Sequence, residues 1–579
     1  MADLINLKIN GIDVAVPKGT TILEAARKAN IKIPTLCYLK EINAIGACRI
    51  CVVEVKGARS LVASCVYPVS NGMEVFTNTH KVLESRKTTL ELILSNHERK
   101  CLSCVRSQNC ELQALALEYG VEEDTYVGEK FESEVEDTNP SIVRNNNKCI
   151  LCRRCVAVCS HNQGTGVIGA NNRGFDTNIG CAFNLELKDV PCIGCGQCIV
   201  NCPTGALSEK DDTDLVWASI NDPSKHVVVA PAPAVRVQLG ECFGMPIGSN
   251  VEGKLAASLR RLGFDKVFDV DTAADLTILE EGTEFIDRVQ NNKTLPLITS
   301  CSPGWIKYCE HYFPEFIPNL SSCKSPQGMY GALMKSYYAE KQGIDPKDIF
   351  VVSIMPCTAK KFERGRDGYT TDGMADIDAA LTVRELSRMI KKAGIDFVNL
   401  PDEEFDPIFG IATGAGHIFG VTGGVMEAAL RTVVEVLEGK DSENIEYKEV
   451  RGLEGIKEAT YKVAGIDVKL AVVSGTANAG KLLQLIKEGK ADYHFIEIMA
   501  CPGGCINGGG QPIHDAYTQA TMDIRKLRSD AVYSHDEKSV MRKSHLNPVV
   551  KELYDTYLEK PGSHKSHHLL HTTYVARGK

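Results

Sequence analysis

The sequence predicts a multidomain chain of mixed α+β and α/β class. Small cysteine-bearing modules come first, then a large α/β body with largely parallel sheets, then a helical tail. Three observations predict this. The chain has 579 residues, more than one hydrophobic core usually serves. Of its 23 cysteines, 16 lie before residue 203, in spaced runs. From residue 225, short apolar runs alternate with helical stretches, as buried strands with crossover helices do. Apolar residues at 44% and charged residues at 24% exclude a disordered or fibrous chain. A net charge of −9 offers no basic field to a nucleic acid. No apolar run is long enough to span a membrane, and the N-terminus lacks the charged and apolar regions of a signal peptide. A cytoplasmic location is therefore expected, where clustered thiols ligate metal or do redox chemistry rather than form disulfides.

Residues 1–80 open with LKINGIDVAV, an alternating run that turns at Asn10-Gly11 and predicts a hairpin. Thr20 or Thr21 is placed to cap the helix that follows, ILEAARKAN. Cys37, Cys48, Cys51 and Cys65 then stand as C-x10-C-x2-C-x13-C in this small β-rich context. The spacing is not the plant-type one, but a tight C-x2-C pair with two more thiols suits a 2Fe–2S cluster in a ferredoxin-like, β-grasp domain. Residues 81–125 read as helical, with His97, Cys101, Cys104 and Cys110 at the joints. Zinc and a 4Fe–4S cluster fit one histidine and three cysteines equally well by spacing; the flanking clusters favour iron. Residues 126–140 are acidic and polar and read as a linker.

The segment 141–210 holds an internal repeat. Cys149, Cys152, Cys155 and Cys159 recur 43 residues on as Cys192, Cys195, Cys198 and Cys202. Each run is C-x2-C-x2-C-x3-C, the two-cluster bacterial ferredoxin pattern, in which the fourth cysteine serves the other cluster. One 4Fe–4S cluster is thus expected on Cys149, Cys152, Cys155 and Cys202, the other on Cys192, Cys195, Cys198 and Cys159. Cys181 reads as a plain core thiol. Such clusters carry single electrons, so the array predicts an electron wire.

In the body, 225–525, the runs HVVVAPA, KVFDV, LPLITS, IFVVSIMP, VKLAVVSG and YHFIEIMA read as strands. Three of them lead directly into cysteines, at Cys301, Cys357 and Cys501, with Cys505 close behind in a glycine-rich loop. Thiols at the ends of parallel strands suit one shared buried site. Gly475–Lys481 resembles a phosphate loop but ends in Leu482 where a hydroxyl is needed, so no nucleotide is expected there. Gly414–Gly420 reads as a tight turn or packing motif. The histidines at 564, 567, 568 and 571 read as a surface tail, and Cys242, Cys309 and Cys323 as core residues.

TSCSPGW (299–305), MPCTAKKFE (355–363) and EIMACPGGCINGGGQP (497–512) resemble the three signature segments of the iron-only (diiron) hydrogenases. GAGHIFGVTGGVMEAALR (414–431) and the 526–579 tail resemble the family too, and the order of N-terminal sites resembles its long, multi-cluster members. The resemblance implies reversible H2 turnover at a 4Fe–4S cluster joined to a diiron unit that carries CO, cyanide and a dithiolate amine. Cys357, Cys501 and Cys505 would ligate the cubane, with Cys505 bridging. Lys360 would donate to a cyanide, and Met355, Met499, Pro233 and Gln327 would line the pocket. Glu281, Glu284, Arg288 and Ser321 would form a proton relay; by spacing alone the three helix residues are merely one charged face.

One departure stands out. Where the family carries two adjacent cysteines, this chain has Cys301-Ser302. By position Cys301 keeps the proton-delivering role and Ser302 replaces a cubane ligand; alternatively the loop shifts, Cys301 ligates, and Ser302 or water relays protons. The resemblance further implies anaerobic life, maturation proteins, and either ferredoxin or flavodoxin as partner or flavin and NAD(P)-binding subunits of a complex. A redox sensor, or an electron-transfer arm without H2 chemistry, is the rival reading.

Overall fold

The computed structural model describes residues 4–122, 125–439 and 445–578. Asn10 and Gly11 both have positive φ, 49° and 82°, which gives a two-residue turn between the antiparallel strands Leu4–Ile9 and Ile12–Pro17. Thr21 caps the helix Ile22–Lys28 by accepting from the Glu24 N–H at 3.3 Å. This helix packs on a five-stranded sheet through Ile22, Leu23, Ala25 and Ala26. The helices His80–Ser95 and Glu111–Glu118 frame the next module, with the short turn Cys101–Ser103 between them.

The stretch expected to be a linker is pinned instead. The Phe131 N–H donates to Asn96, Ser133 exchanges bonds with Asn147, and Glu136 pairs with Arg144. Polar composition hid this, because the strap is held by amide and charge pairing rather than by apolar burial.

The large α/β body contains two four-stranded sheets. In the first, His226–Pro231 lies between Lys266–Val267 and Ile349–Met355, with Ala379–Thr382 outside the latter, and every pairing is parallel. In the second, Leu297–Ile298, Phe495–Met499 and Ile466–Ser474 are parallel. Each of the six apolar runs therefore contains a strand, two residues long in KVFDV and LPLITS. The edge strand Ile456–Val463 runs antiparallel to its neighbour and was not among those runs. Its outer face is solvated, so IKEATYKV alternates instead of forming an apolar block.

Chain ends and joints complete the frame. Gly414–His417 is a helical turn, and His417 is buried against Asp271 at 2.6 Å. The segment 475–481 opens the helix Thr476–Lys487; the Thr476 hydroxyl is satisfied by Gln163 of the two-run module at 2.6 Å. Of the tail histidines read as surface residues, His564, His567 and His568 are exposed, but His571 is buried with Leu569 and Leu570, and the tail's backbone bonds to Ser322, Lys324 and Glu310. No helix among the described residues is long and apolar enough to cross a membrane.

Candidate active site

Three of the four sets of spaced ligands gather as thiol groups, and in the other set Cys104 neighbours Cys110. Cys37 contacts both Cys48 and Cys65, and Cys65 contacts Cys51. These sulfur contacts lower Cys37 and Cys51 and raise Cys48 and Cys65, as expected where one thiol's proton is shared with the next. Backbone N–H groups of Ala47 and Cys48 also point at Cys37. Four convergent sulfurs with amide donors fit a 2Fe–2S cluster. In the next module His97 is buried, and its Nδ1 has no hydrogen-bond partner. Burial, helped by Lys148, lowers the imidazole to about 4, so it is neutral, as a metal ligand must be.

All eight cysteines of the repeated runs line one cavity of about 840 Å³. Within it Cys202 lies beside Cys149, Cys152 and Cys155 and Cys159 beside Cys192 and Cys198, with Cys198 also near Cys202 and Cys155. The donor chemistry fits two cubane clusters. The modules also touch in a definite order. Asn43 Nδ2 donates to the carbonyls of Cys37 at 2.7 Å and Cys152 at 3.1 Å. The histidine-containing module meets the loop after Cys202: Cys110 Sγ is 3.5 Å from the Pro203 carbonyl, and a Cβ on Gly205 would lie 2.6 Å from Cys104 Sγ.

A second cavity, about 810 Å³, opens between the carboxyl ends of the two sheets. Cys357 follows Ile349–Met355, Cys501 follows Phe495–Met499, and Cys301 follows Leu297–Ile298. All three line it, with Cys505, Met355, Met499, Pro233, Gln327, Lys360 and Ser302. Clustered thiols beside apolar walls and one ammonium fit an anion-decorated metal cluster. Lys360 Nζ donates to Glu363 at 2.8 Å and to the Cys301 carbonyl at 3.2 Å, which leaves its third N–H for a cavity ligand. Cys195 lines this cavity and the eight-cysteine cavity alike and neighbours Cys501, so the two sites share a wall. Glycine makes that contact possible: a Cβ on Gly509 would lie 2.2 Å from the Cys195 carbonyl.

Cys301 and Ser302 face different neighbours. Burial, then Glu281 and Cys505, push the Cys301 thiol well above its usual range, so it keeps its proton. The Ser302 hydroxyl accepts from the Ala500 N–H at 3.1 Å, next to Cys501.

Behind Cys301 lies a continuous polar file on the helix Val270–Gln290. Glu281 is buried and bonded to Ser321; burial raises it to about 8. The Ser321 hydroxyl donates to Glu284 at 3.2 Å, and Arg288 donates to Glu284 at 2.6 Å. Arg288 also donates to the carbonyls of Thr294, Pro318, Asn319 and Leu320, so it is a fixed post rather than a swinging arm.

Several functional neighbours carried no signal of their own. Glu363 binds Lys360, Ser325 and Gln327 at once, and Ser353 holds the Gln327 carbonyl at 2.7 Å. Glu363 lay in view inside MPCTAKKFE, one helical turn after Lys360. Ser322, Glu280 and His571 had no such hint, because the tail and the helix meet only in the fold.

Residues 225–509 match the profile "Iron only hydrogenase large subunit, C-terminal domain", and 522–577 match "Iron hydrogenase small subunit". Residues 2–80 match a 2Fe-2S iron-sulfur cluster binding domain, 86–125 the NADH-ubiquinone oxidoreductase-G iron-sulfur binding region, and 148–206 a 4Fe-4S dicluster domain. The chain is 47% identical to the NADP-reducing hydrogenase subunit HndD of Solidesulfovibrio fructosivorans, over 99% of each. It is 44% identical to iron hydrogenase 1 of Clostridium pasteurianum, over 98% of this chain and 99% of that one. A single-site variant of the apo [FeFe]-hydrogenase HydA1 of Chlamydomonas reinhardtii superposes with a TM-score of 0.57 at 44% identity, covering 64% of this chain and 100% of its own.

Proposed function

The chain belongs to the iron-only hydrogenases, and from that premise we propose which residues carry electrons, protons and H2 through it. The enzyme interconverts H2 with protons and electrons. Cys357, Cys501 and Cys505, with Ser302 beside them in the same cavity, would hold the catalytic 4Fe–4S and diiron cluster. When bound, that cluster supplies the metal chemistry that splits H2 heterolytically. The chain's own residues supply the rest. Lys360 fixes an anionic ligand, and Met355, Met499, Pro233 and Gln327 exclude water. Cys301 holds the proton nearest the reaction; Glu281, Ser321 and Glu284 pass it towards the surface, with Arg288 positioning Glu284.

Cys192, Cys195, Cys198 and Cys159 would hold the accessory cluster nearest Cys501, and Cys149, Cys152, Cys155 and Cys202 the next, the order in which electrons would leave. Two arms meet at this second cluster, one 2Fe–2S site and one His97, Cys101, Cys104 and Cys110 site, the latter a third accessory 4Fe–4S cluster. The likeness to an NADP-reducing hydrogenase subunit supports flavin- and NAD(P)-binding partner subunits over a lone enzyme served by ferredoxin or flavodoxin. Such an assembly is cytoplasmic, and maturation proteins install the diiron unit.

One observation carries this reading. Three strand-end thiols, Lys360 and both methionines line a single cavity that Cys195 joins to the eight-cysteine site. Infrared spectroscopy of the anaerobically matured protein tests it. Bands of iron-bound CO and cyanide that shift under H2 are expected. Their absence, with maturation shown to work on a control enzyme, sinks the assignment. Isolation of the protein from its native cell tests the partners: flavin-containing subunits should co-purify, and full activity with ferredoxin by the chain alone would reverse that choice.

A further inference from the structure

A thiol, an imidazole and a carboxylate meet beside the proton relay, and the scheme above uses neither the thiol nor the imidazole. Cys323 Sγ lies 4.0 Å from Glu284 Oε2. One ligand atom from each of Glu284, Cys323 and His571 lies within 4.8 Å of the other two. A backbone bridge between Cys323 and His571 holds the loop and the tail together at this point.

The imidazole is already oriented. His571 Nε2 is 3.1 Å from Glu280 Oε2, and Nδ1 is 2.8 Å from the Ser322 hydroxyl. Glu280 accepts further bonds from Tyr554 at 2.6 Å, Ser566 at 2.8 Å and the Gly562 N–H at 2.9 Å. An acceptor so fully supplied with donors is an ionised carboxylate, which places the imidazole proton on Nε2. The Nδ1 lone pair then faces Ser322, Glu284 and Cys323. A carboxylate behind a histidine whose free nitrogen faces a thiol and a second carboxylate is the second-sphere pattern of zinc sites. The two other groups with ligand-like geometry, both containing His417, differ: Arg236 already pairs with Asp269, Asp271 and Glu252 there and supplies the cation.

We propose that Glu284, Cys323 and His571 bind Zn2+, or an ion of the same borderline-soft class, and that the ion stops turnover by withdrawing Glu284 from the proton relay. One sulfur, one nitrogen and one oxygen ligand select zinc over magnesium or calcium. The Ser322 hydroxyl or a water supplies the fourth ligand, and the ion replaces the Ser322–His571 hydrogen bond. Binding releases the Cys323 thiol proton to solvent, while Glu284 and His571 contribute lone pairs. Glu284 is partly exposed, and the exposed His567 stacks on His571 at 4.5 Å, so the ion approaches from that side. The blocking half rests on the reading that Glu284 relays protons; the binding half does not.

The test uses the full-length protein with its clusters complete. It is incubated anaerobically with zinc chloride, desalted, and its zinc content measured, with H2 evolution recorded before and after a chelator. The parent should retain about one more zinc per chain than Cys323→Ala or Cys323→Ser, with a sulfur in the zinc X-ray absorption shell. Glu280→Gln, which keeps all three ligands, should weaken retention by ~10–100-fold. The parent's rate should fall with zinc and return on chelation, each variant being judged by its own ratio with and without the metal. Equal zinc in the parent, both Cys323 variants and His571→Gln overturns the site. Zinc held by these residues with turnover unchanged overturns the blocking half, and with it the place of Glu284 in the relay.

Discussion

Cys301 and Ser302 are neighbours in sequence, yet one faces Glu281 and Cys505 and the other the backbone beside Cys501. That division gives opposite expectations for their removal. Cys301→Ala should leave the cubane signals and the CO and cyanide bands in place and cut turnover by ~10²–10⁴-fold, the usual worth of a placed proton donor. Ser302→Ala should instead lower the iron and sulfide bound at this site, and Ser302→Cys should keep it and shift its potential, since thiolate replaces oxygen. If Cys301→Ala is the variant that loses the cluster, Cys301 is the ligand and the two roles are exchanged. Glu281 adds a pH signature. Its carboxyl is raised to about 8 by burial, so it carries a proton at neutral pH and loses it above that point. Proton reduction should therefore hold up to about pH 8 and decline beyond, and Glu281→Gln should be slow throughout, by ~10²-fold or more. An unchanged rate and profile in that variant would remove Glu281 from the path.

At the scale of elements, the strands that present the signature cysteines were legible because both sheets are buried on two faces, so their runs are continuously apolar. The edge strand Ile456–Val463 and the strap around Glu136 were not, because each is half solvated and held by pairing. The proposed proton relay was legible only as a helix face; what would make it a path is Ser321, which reaches Glu284 from a loop. The join between the two-run module and the catalytic loop was invisible in the sequence, since it depends on two backbones meeting at Gly509, Cys195 and Gly196. Gly509→Ala tests how much that join matters. The added methyl would overlap the Cys195 carbonyl and the Gly196 Cα, and Arg384, which binds the Gly509 carbonyl at 2.9 Å, would be displaced with it. A loss of about 1–3 kcal/mol of stability, seen in thermal unfolding, is expected from such overpacking. Electron transfer from the accessory clusters should fall more steeply than stability does. A variant with parental unfolding and parental electron flow would show that the contact is slack.

At the scale of the whole molecule, the sequence spaced four sets of ligands along a line, but the fold does not keep them in line. Asn43 brings the first set to Cys152, and the Cys110 and Gly205 contacts bring the second to the loop after Cys202. Two arms thus converge on one site, and among the described cluster ligands only that site's partner, through Cys195, lines the catalytic cavity. A serial wire and a forked wire predict different behaviour when one arm is disabled. In a serial wire, removing either the Cys51 or the His97 ligand would silence delivery from every donor. In the fork drawn by these contacts, Cys51→Ala and His97→Ala should each keep most of the rate with a small reduced dye, which can enter by the surviving arm. Each should lose the rate only with the protein partner that docks on the disabled arm. The experiment is a pair of assays on each variant, one with viologen and one with the native donor or acceptor complex, after electron paramagnetic resonance has shown that only the intended cluster is missing. Loss of dye-linked turnover in either variant would mean that one arm feeds the other, and the converging contacts at Cys152 and Cys202 would then be structural rather than conductive.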